Sequence, residues 1–104
     1  METHPKIRLD ILIEAPFRKR LCAVLDEEGV SGYTFFSALG GKGVDGAWSR
    51  EGLVSEVGGN LHVVCVLDAE RRGPVLDRLA EEFAAQIGYV LCGPVDVVRP
   101  QKFP

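Results

Sequence analysis

Residues 6–14, KIRLDILIE, alternate between apolar and polar side chains. The apolar members would share one face of an extended chain: Ile7, Leu9, Ile11 and Ile13. Alternation with a period of two is typical of a β-strand that buries one of its faces. Such a strand needs partner strands and a covering layer, so the rest of the chain must supply both.

Two other segments have the spacing of helices. Pro16 suits a first helical turn, because it lacks only an N–H group that would be unpaired there, and Gly29 is a C-terminal stop signal. Apolar residues recur between them: Phe17, Leu21, Val24 and Leu25. The second predicted helix follows Asp68, which is suited to cap it, and ends at Gly88. Its apolar residues are Val75, Leu76, Leu79, Ala80, Phe83 and Ile87.

Further strands are predicted between the two helices and after the second one. Residues 33–39, YTFFSAL, are rich in aromatic side chains, and residues 61–67, LHVVCVL, form the most apolar run. Residues 89–92 and 95–98 form a last strand that is interrupted by Gly93–Pro94, a pair typical of a bulge or a sheet edge. The order of elements is therefore β-α-β-β-α-β.

This order predicts an α+β, ferredoxin-like fold, in which one antiparallel sheet carries both helices on one face. The 104 residues suffice for a single domain, residues 1–104, and not for two. If Val63, Cys65 and Phe35 face the helices, apolar residues also occupy the other face: Phe36, Val64 and Val66. We expect that face to be covered, and self-association into a closed symmetric oligomer is the simplest cover.

The connection between the second and third strands runs from about residue 40 to residue 60, where a hairpin loop usually takes about 2–5 residues. Its glycines permit positive φ angles that turn N–H groups toward a guest. Lys42 and Arg50 can contact an anion, and Trp48 can make apolar contacts. GGKG, residues 40–43, lacks the spacing of a P-loop. The connection is therefore either a ligand-responsive loop without regular secondary structure or a flexible, solvated one.

Charge and hydropathy exclude some partners. A formal net charge of −3 argues against general binding to nucleic acid or to anionic membranes. The N-terminal METHPKIRLD has no apolar signal region, and no apolar run approaches the ~20 residues of a membrane span. A cytoplasmic location is expected.

The sequence is poorly supplied for catalysis and for metal binding. Its cysteines are widely separated, lie in apolar runs and predict buried thiols: Cys22, Cys65 and Cys92. They form no CxxC pair, and His4 and His62 are not placed to complete a zinc site. No serine or cysteine has a histidine and a carboxylate at a recognisable motif spacing, so no catalytic residues are predicted. We expect His62 to face solvent or an interface.

Two stretches resemble the PII signalling superfamily: residues 27–43, EEGVSGYTFFSALGGKG, and residues 87–98, IGYVLCGPVDVV. The short C-terminal tail, residues 99–104, and the GGKGxxGxW form of the loop are most similar to the PII-like proteins associated with carboxysomes and bicarbonate transport. The resemblance implies a homotrimer that binds adenine nucleotides between its subunits. It also implies that the connection of residues 40–60, the T-loop of that family, changes conformation with the ligand and engages a target, often a membrane transporter.

The resemblance also implies where ligands bind. Thr34 would lie beside the adenine, and these residues would lie near the phosphates: Gly40, Gly41, Lys42, Gly43, Gly88, Tyr89, Val90 and Arg99. Bicarbonate or another small anion would lie near Lys42, Trp48 and Arg50. AAQIGY, residues 84–89, lacks the lysine of the nitrogen-regulatory members. Of their paired C-terminal arginines this chain keeps Arg99, with Lys102 as a candidate substitute for the other. Because each missing cation removes a charge-assisted hydrogen bond, the expected preference is for ADP or AMP over ATP.

Two other functions remain open at the level of sequence. A nucleotide-independent, trimeric interaction module would use the same loop only to contact protein. A ferredoxin-like hydrolase of the acylphosphatase type would need an arginine in a phosphate loop just after the first strand. EAPFRKR, residues 14–20, has no glycine-framed cradle of this kind, which argues against the hydrolase.

Overall fold

The structure is a computed structural model, and it describes residues 1–49 and 59–99. The strands are β1 (Glu2–Glu14), β2 (Gly32–Ala38), β3 (Gly40–Gly43), β4 (Gly46–Ser49), β5 (Asn60–Leu67) and β6 (Ile87–Arg99). The helices are α1 (Arg18–Glu27) and α2 (Arg72–Phe83), and a short 3-10 turn precedes each one.

Within these described residues, β1, β2, β5 and β6 form an antiparallel sheet in the order β2-β5-β1-β6. The strands β3 and β4 pair with each other as a separate hairpin. The buried residues of both helices belong to the same apolar core as the sheet. The fold is therefore the predicted α+β, ferredoxin-like one, with the addition of the hairpin.

Alternation along β1 and β5 separates the two faces of the sheet. The side chains that point toward the helices are almost completely buried: Leu9, Ile11, Ile13, Leu61, Val63 and Cys65. The opposite face, which we call the outer face, carries Phe36, Tyr89 and Leu91 with exposed fractions of 52%, 42% and 57%. Both assignments agree with the period-two pattern of the sequence.

The first and last strands of the chain differ from their predicted lengths. β1 begins at Glu2 rather than at Lys6, because its first residues pair with the last residues of β6 in a ribbon that extends past the end of β5. β6 is continuous through Gly93 and Pro94, so the predicted interruption was wrong. The predicted edge position was right, because β1 is the one described strand that pairs with β6, and an edge strand tolerates a proline better than a central one.

The helix ends show one correct prediction and two errors. Gly29 has a φ angle of 76° and ends α1, with Val30 N–H donating to the carbonyl of Leu25 over 2.9 Å. The second helix ends at Phe83, not near Gly88, because the following residues turn into β6 and Ile87 pairs with Ile13 of β1. The carboxylate of Asp68 makes no capping hydrogen bond but accepts one from Nζ of Lys6.

The long connection is not free of secondary structure. Residues 40–43 and 46–49 form the β3–β4 hairpin, and Gly46 has a φ angle of 99° after its turn. Arg50 lies outside the described residues. The expectation of an unstructured loop was therefore wrong for residues 40–49.

The cysteines do not share one environment. Cys65 is buried, and burial raises the pKa of its thiol to about 12. Cys22 is half-buried, and Cys92 is exposed because it lies on the edge strand β6. The prediction of a buried thiol was wrong for Cys92.

Neither described helix is long and apolar enough to cross a membrane.

Candidate functional site

A cleft of about 530 Å³ lies between the β3–β4 hairpin and the outer face of the sheet. Its walls come from β1, the end of β2, the hairpin, β5 and the start of β6. Many of the residues that the sequence singled out line it: Gly40, Gly41, Lys42, Gly43, Trp48, Gly88 and Tyr89. The fold thus brings the glycine-rich segment and the start of the last strand to one place.

Two of the hairpin glycines are needed for close packing. A Cβ atom on Gly40 would lie 2.6 Å from the carbonyl oxygen of Trp48, and one on Gly41 would lie 3.1–3.3 Å from three atoms of the Trp48 indole. Gly43 has no such neighbour within 4 Å. We expected glycine for positive φ angles here, but none of these three has one. The absence of side chains instead lets the indole pack against the backbone of β3.

Gly88 occupies a register shift at the other wall of the cleft. Leu12 pairs with Tyr89 and Ile13 pairs with Ile87, so Gly88 stands opposite no residue of β1. A Cβ atom on Gly88 would lie 2.9 Å from Cδ2 of Leu12. Glycine therefore keeps the backbone exposed at the point where β6 enters the cleft.

A polar cluster lies in the middle of the outer face beside the cleft. The guanidinium of Arg8 donates through Nε and Nη2 to the two oxygens of Asp10, each over 2.9 Å. Nε2 of His62 lies 2.9 Å from Oδ1 of the same carboxylate. Asp10 is only 9% exposed, and the hydrogen bond from Arg8 lowers the pKa of its carboxyl group. Asp10 is therefore a buried anion that both neighbours satisfy.

The sequence alternation accounts for part of this cluster. Arg8 and Asp10 alternate with the buried apolar residues of β1, and His62 alternates in the same way with those of β5. The pairing of Leu12 with His62 brings the three residues together. The expectation that His62 faces solvent or an interface did not include its contact with Asp10 or its place in the cleft wall.

The remaining predicted residues lie elsewhere. Thr34 lines an adjoining cavity of about 400 Å³, which shares Phe36 and His62 with the main cleft. Val90 is on the helix side of the sheet and packs against the core. Arg99 pairs with Glu2 at the far end of β6, roughly 35 Å along the strand from Gly88 at the usual rise per residue. It does not reach the cleft of its own subunit.

Across residues 1–49 and 59–99, no group of three or more acidic, histidine or cysteine side chains is arranged to hold a metal ion. The described residues of the cleft supply groups that can contact a ligand. The cleft combines aromatic walls, one ammonium group on Lys42 and exposed backbone at glycines. Such a set suits a flat ring joined to an anion.

Comparison with known families and structures agrees with this geometry. The sequence model described as nitrogen regulatory protein P-II matches residues 6–102. None of the curated proteins compared with the chain by sequence matches it.

Several solved structures are similar over nearly the whole chain. CPII, a nitrogen regulatory PII-like protein from Thiomonas intermedia K12 bound to ADP, AMP and bicarbonate, is 28% identical, with a TM-score of 0.83 over 95% of this chain and 93% of that one. A candidate PII-like signalling protein from Thermus thermophilus is 26% identical, with a TM-score of 0.76 over 94% of each chain. A DUF3240 family protein from Shewanella baltica OS155 shares the fold at 12% identity, with a TM-score of 0.64 over 95% of this chain and 97% of that one.

Replacing Gly41 by alanine should displace the Trp48 ring, because the new methyl group needs space that the indole occupies. Trp48 is the only tryptophan, so its fluorescence reports on the hairpin directly. We expect a red-shifted emission maximum for Gly41→Ala and an unchanged one for the matched variant Gly43→Ala, whose Cβ meets nothing within 4 Å. Identical spectra for the two variants would show that the ring does not pack on β3.

Asp10→Asn should lower the free energy of unfolding at pH 7 by about 1–3 kcal/mol, because Arg8 and His62 lose a charged acceptor. The folded-state pKa of Asp10 is lowered, so this stabilisation is present above the ordinary aspartate pKa and is lost as the pH falls through the folded value. Urea unfolding should therefore give converging stabilities for wild type and variant below about pH 4. The exposed Asp96→Asn serves as the control, and a pH-independent difference for Asp10→Asn would contradict the assignment.

Proposed function

Because the chain belongs to the P-II family of nitrogen regulatory proteins, we propose that it is a PII-like signal-transduction protein that binds adenine nucleotides in clefts at its subunit boundaries. The cleft between the glycine-rich hairpin and the outer sheet face is the observation that carries this proposal. Members of the PII-like group are trimeric and bind adenine nucleotides. In this proposal the β2–β5 connection is the T-loop.

The cleft can receive both parts of a nucleotide. The phosphates would contact Lys42 and the backbone of β3, where Gly40, Gly41 and Gly43 line the cleft without side chains. On the opposite wall, Gly88 and Tyr89 would add the backbone of β6. The adenine would lie toward Thr34 in the adjoining cavity, since that cavity shares two residues with the cleft.

The outer face supports a homotrimer. Leu91 on β6 and Phe36 on β2 are more than half exposed in the isolated chain, and they flank the polar cluster of the outer face on its two edge strands. Burying such a patch against identical faces is the usual solution for a closed oligomer. In that assembly Arg99, which is far from its own cleft, would serve the cleft of a neighbouring subunit, and Val90 would contribute only backbone atoms.

A preference for ADP or AMP over ATP follows from the shortage of cations. Among the described residues that line the cleft, Lys42 is the only lysine or arginine. Residues 84–89 contain neither. CPII is bound to ADP, AMP and bicarbonate. We therefore also propose bicarbonate as a second ligand near Lys42, Trp48 and Arg50, as in the carboxysome-associated group.

The proposed output is regulation of a partner such as a bicarbonate transporter. Ligand binding at the base of the hairpin would change the ordering of the T-loop, and the partner would recognise one of its states. We place this activity in the cytoplasm and expect no catalysis and no prosthetic group. Residues 1–104 would act as a single domain.

A nucleotide-independent, trimeric interaction module is the second candidate. It is favoured by the apolar surface of the hairpin region, where Leu39 is 72% exposed and Val44 is fully exposed. Such residues suit contact with another protein. Nucleotide titration separates the two candidates, because an interaction module needs no adenylate.

Lys42→Ala should weaken ADP binding roughly tenfold to a hundredfold, because it removes a hydrogen bond to a charged group. Calorimetric titration of wild type with ADP, AMP and ATP, each with and without bicarbonate, measures the preference directly. Lys19→Ala on α1 removes the same charge far from the cleft and should leave the affinities unchanged. If wild type bound no adenylate at millimolar concentration, the nucleotide-binding proposal would fail and the interaction module would remain as the function.

Leu91→Arg should dissociate the proposed trimer, because it places a charge in the apolar patch of the outer face. Sedimentation equilibrium should give a wild-type mass three times the chain mass of 11.3 kDa. Ala80→Arg adds the same side chain to the exposed surface of α2 and should remain trimeric. A monomeric wild type would remove the inter-subunit cleft from the proposal.

A further inference from the structure

The contact with Asp10 fixes which ring nitrogen of His62 carries hydrogen. Arg8 keeps the Asp10 carboxylate ionised, and an ionised carboxylate can only accept hydrogen bonds. Nε2 of His62 lies 2.9 Å from Oδ1, so Nε2 must be the donor. Nδ1 of the neutral ring is then the nitrogen without hydrogen, and its lone pair is free to accept a proton.

His62 occupies the boundary between the two cavities of the candidate site. Its side chain is 34% exposed and lines both the main cleft and the adjoining cavity that contains Thr34. The Phe36 ring flanks it, with 6.2 Å between the ring centroids. A change of charge on this imidazole therefore acts directly on whatever occupies the cleft.

The other charges around His62 cancel. Those that contact it or line either of the two cavities come from β1 and from the hairpin: Arg8, Asp10, Lys42 and Asp45. β6 contributes the neutral phenol of Tyr89, and β2 contributes the uncharged Phe36, Ser37 and Thr34. Two cations and two carboxylates leave no net charge, so protonation of His62 converts the described surroundings of the cleft from neutral to positive.

We propose that His62, oriented by Asp10, is a proton-dependent anion-binding residue of the cleft, so that an anionic ligand binds more tightly as the pH falls. This proposal rests on the function proposed above. The sign follows from linkage: an anion interacts more favourably with the protonated imidazole, so its binding takes up a proton. A signalling protein with this residue would read ligand concentration and acidity together.

The test is a set of ADP titrations from about pH 8 to about pH 6, the range in which imidazoles ordinarily titrate. Wild type is compared with His62→Gln, whose amide can still donate to Asp10, and with His4→Gln, which removes the other of the two histidines. The phosphates of ADP titrate equally with all three proteins, so only differences between proteins are interpreted. Wild type and His4→Gln should gain roughly threefold to fivefold more affinity than His62→Gln over this range.

A second measurement examines His62 without any ligand. Nitrogen-15 chemical shifts of the imidazole in the free protein should show the Nε2–H tautomer at pH 8, and Asp10→Asn should remove that preference. An Nδ1–H tautomer, or an equal pH dependence of affinity in wild type and His62→Gln, would overturn the proposal. If ADP bound at no pH while the Nε2–H tautomer was present, the proposed function would fail together with the ligand role of His62, and only the Asp10–His62 contact would stand.

Discussion

Side-chain alternation along β1 and β5 gives the sheet two faces, and the helices of the chain cover only one of them. The covered face forms the core with α1 and α2. The outer face is left with exposed apolar residues around one buried, ion-paired carboxylate, Asp10. The cleft and the proposed trimer both depend on this asymmetry, because a sheet buried on both faces within one subunit would have no surface to share.

The hairpin turns part of that open face into the candidate binding site. β3 follows directly on β2, and the lack of side chains at Gly40 and Gly41 lets β4 and the Trp48 indole pack closely against it. The result is a wall of backbone and aromatic surface with one ammonium group, set against a floor that contains His62. The proposed nucleotide binding, the proposed trimer contacts and the charge on His62 therefore involve neighbouring residues of a single surface.

Much of the fold could be predicted from sequence, because it follows from local rules. The alternation in residues 6–14 gave the correct faces, and Gly29 ended α1 through the conformation that glycine permits. The hairpin was missed because its glycines carry no periodic signal and its pairing depends on the packing of Trp48. The end of α2 was misplaced because Ile87 fits a helical stripe as well as a strand, and pairing with Ile13 decides between them. The Asp10–His62 contact joins two strands, so only the sheet register reveals it.

The central claim is that an adenylate binds between the hairpin and the start of β6. Hydrogen–deuterium exchange with and without saturating ADP tests it most directly, because exchange reports on individual backbone N–H groups. The account predicts slower exchange at Gly40–Gly43 and at Gly88–Tyr89, with no change in α1 or α2. Unaltered exchange at both walls of the cleft in the presence of bound ADP would contradict it, since the nucleotide would then occupy a different part of the molecule.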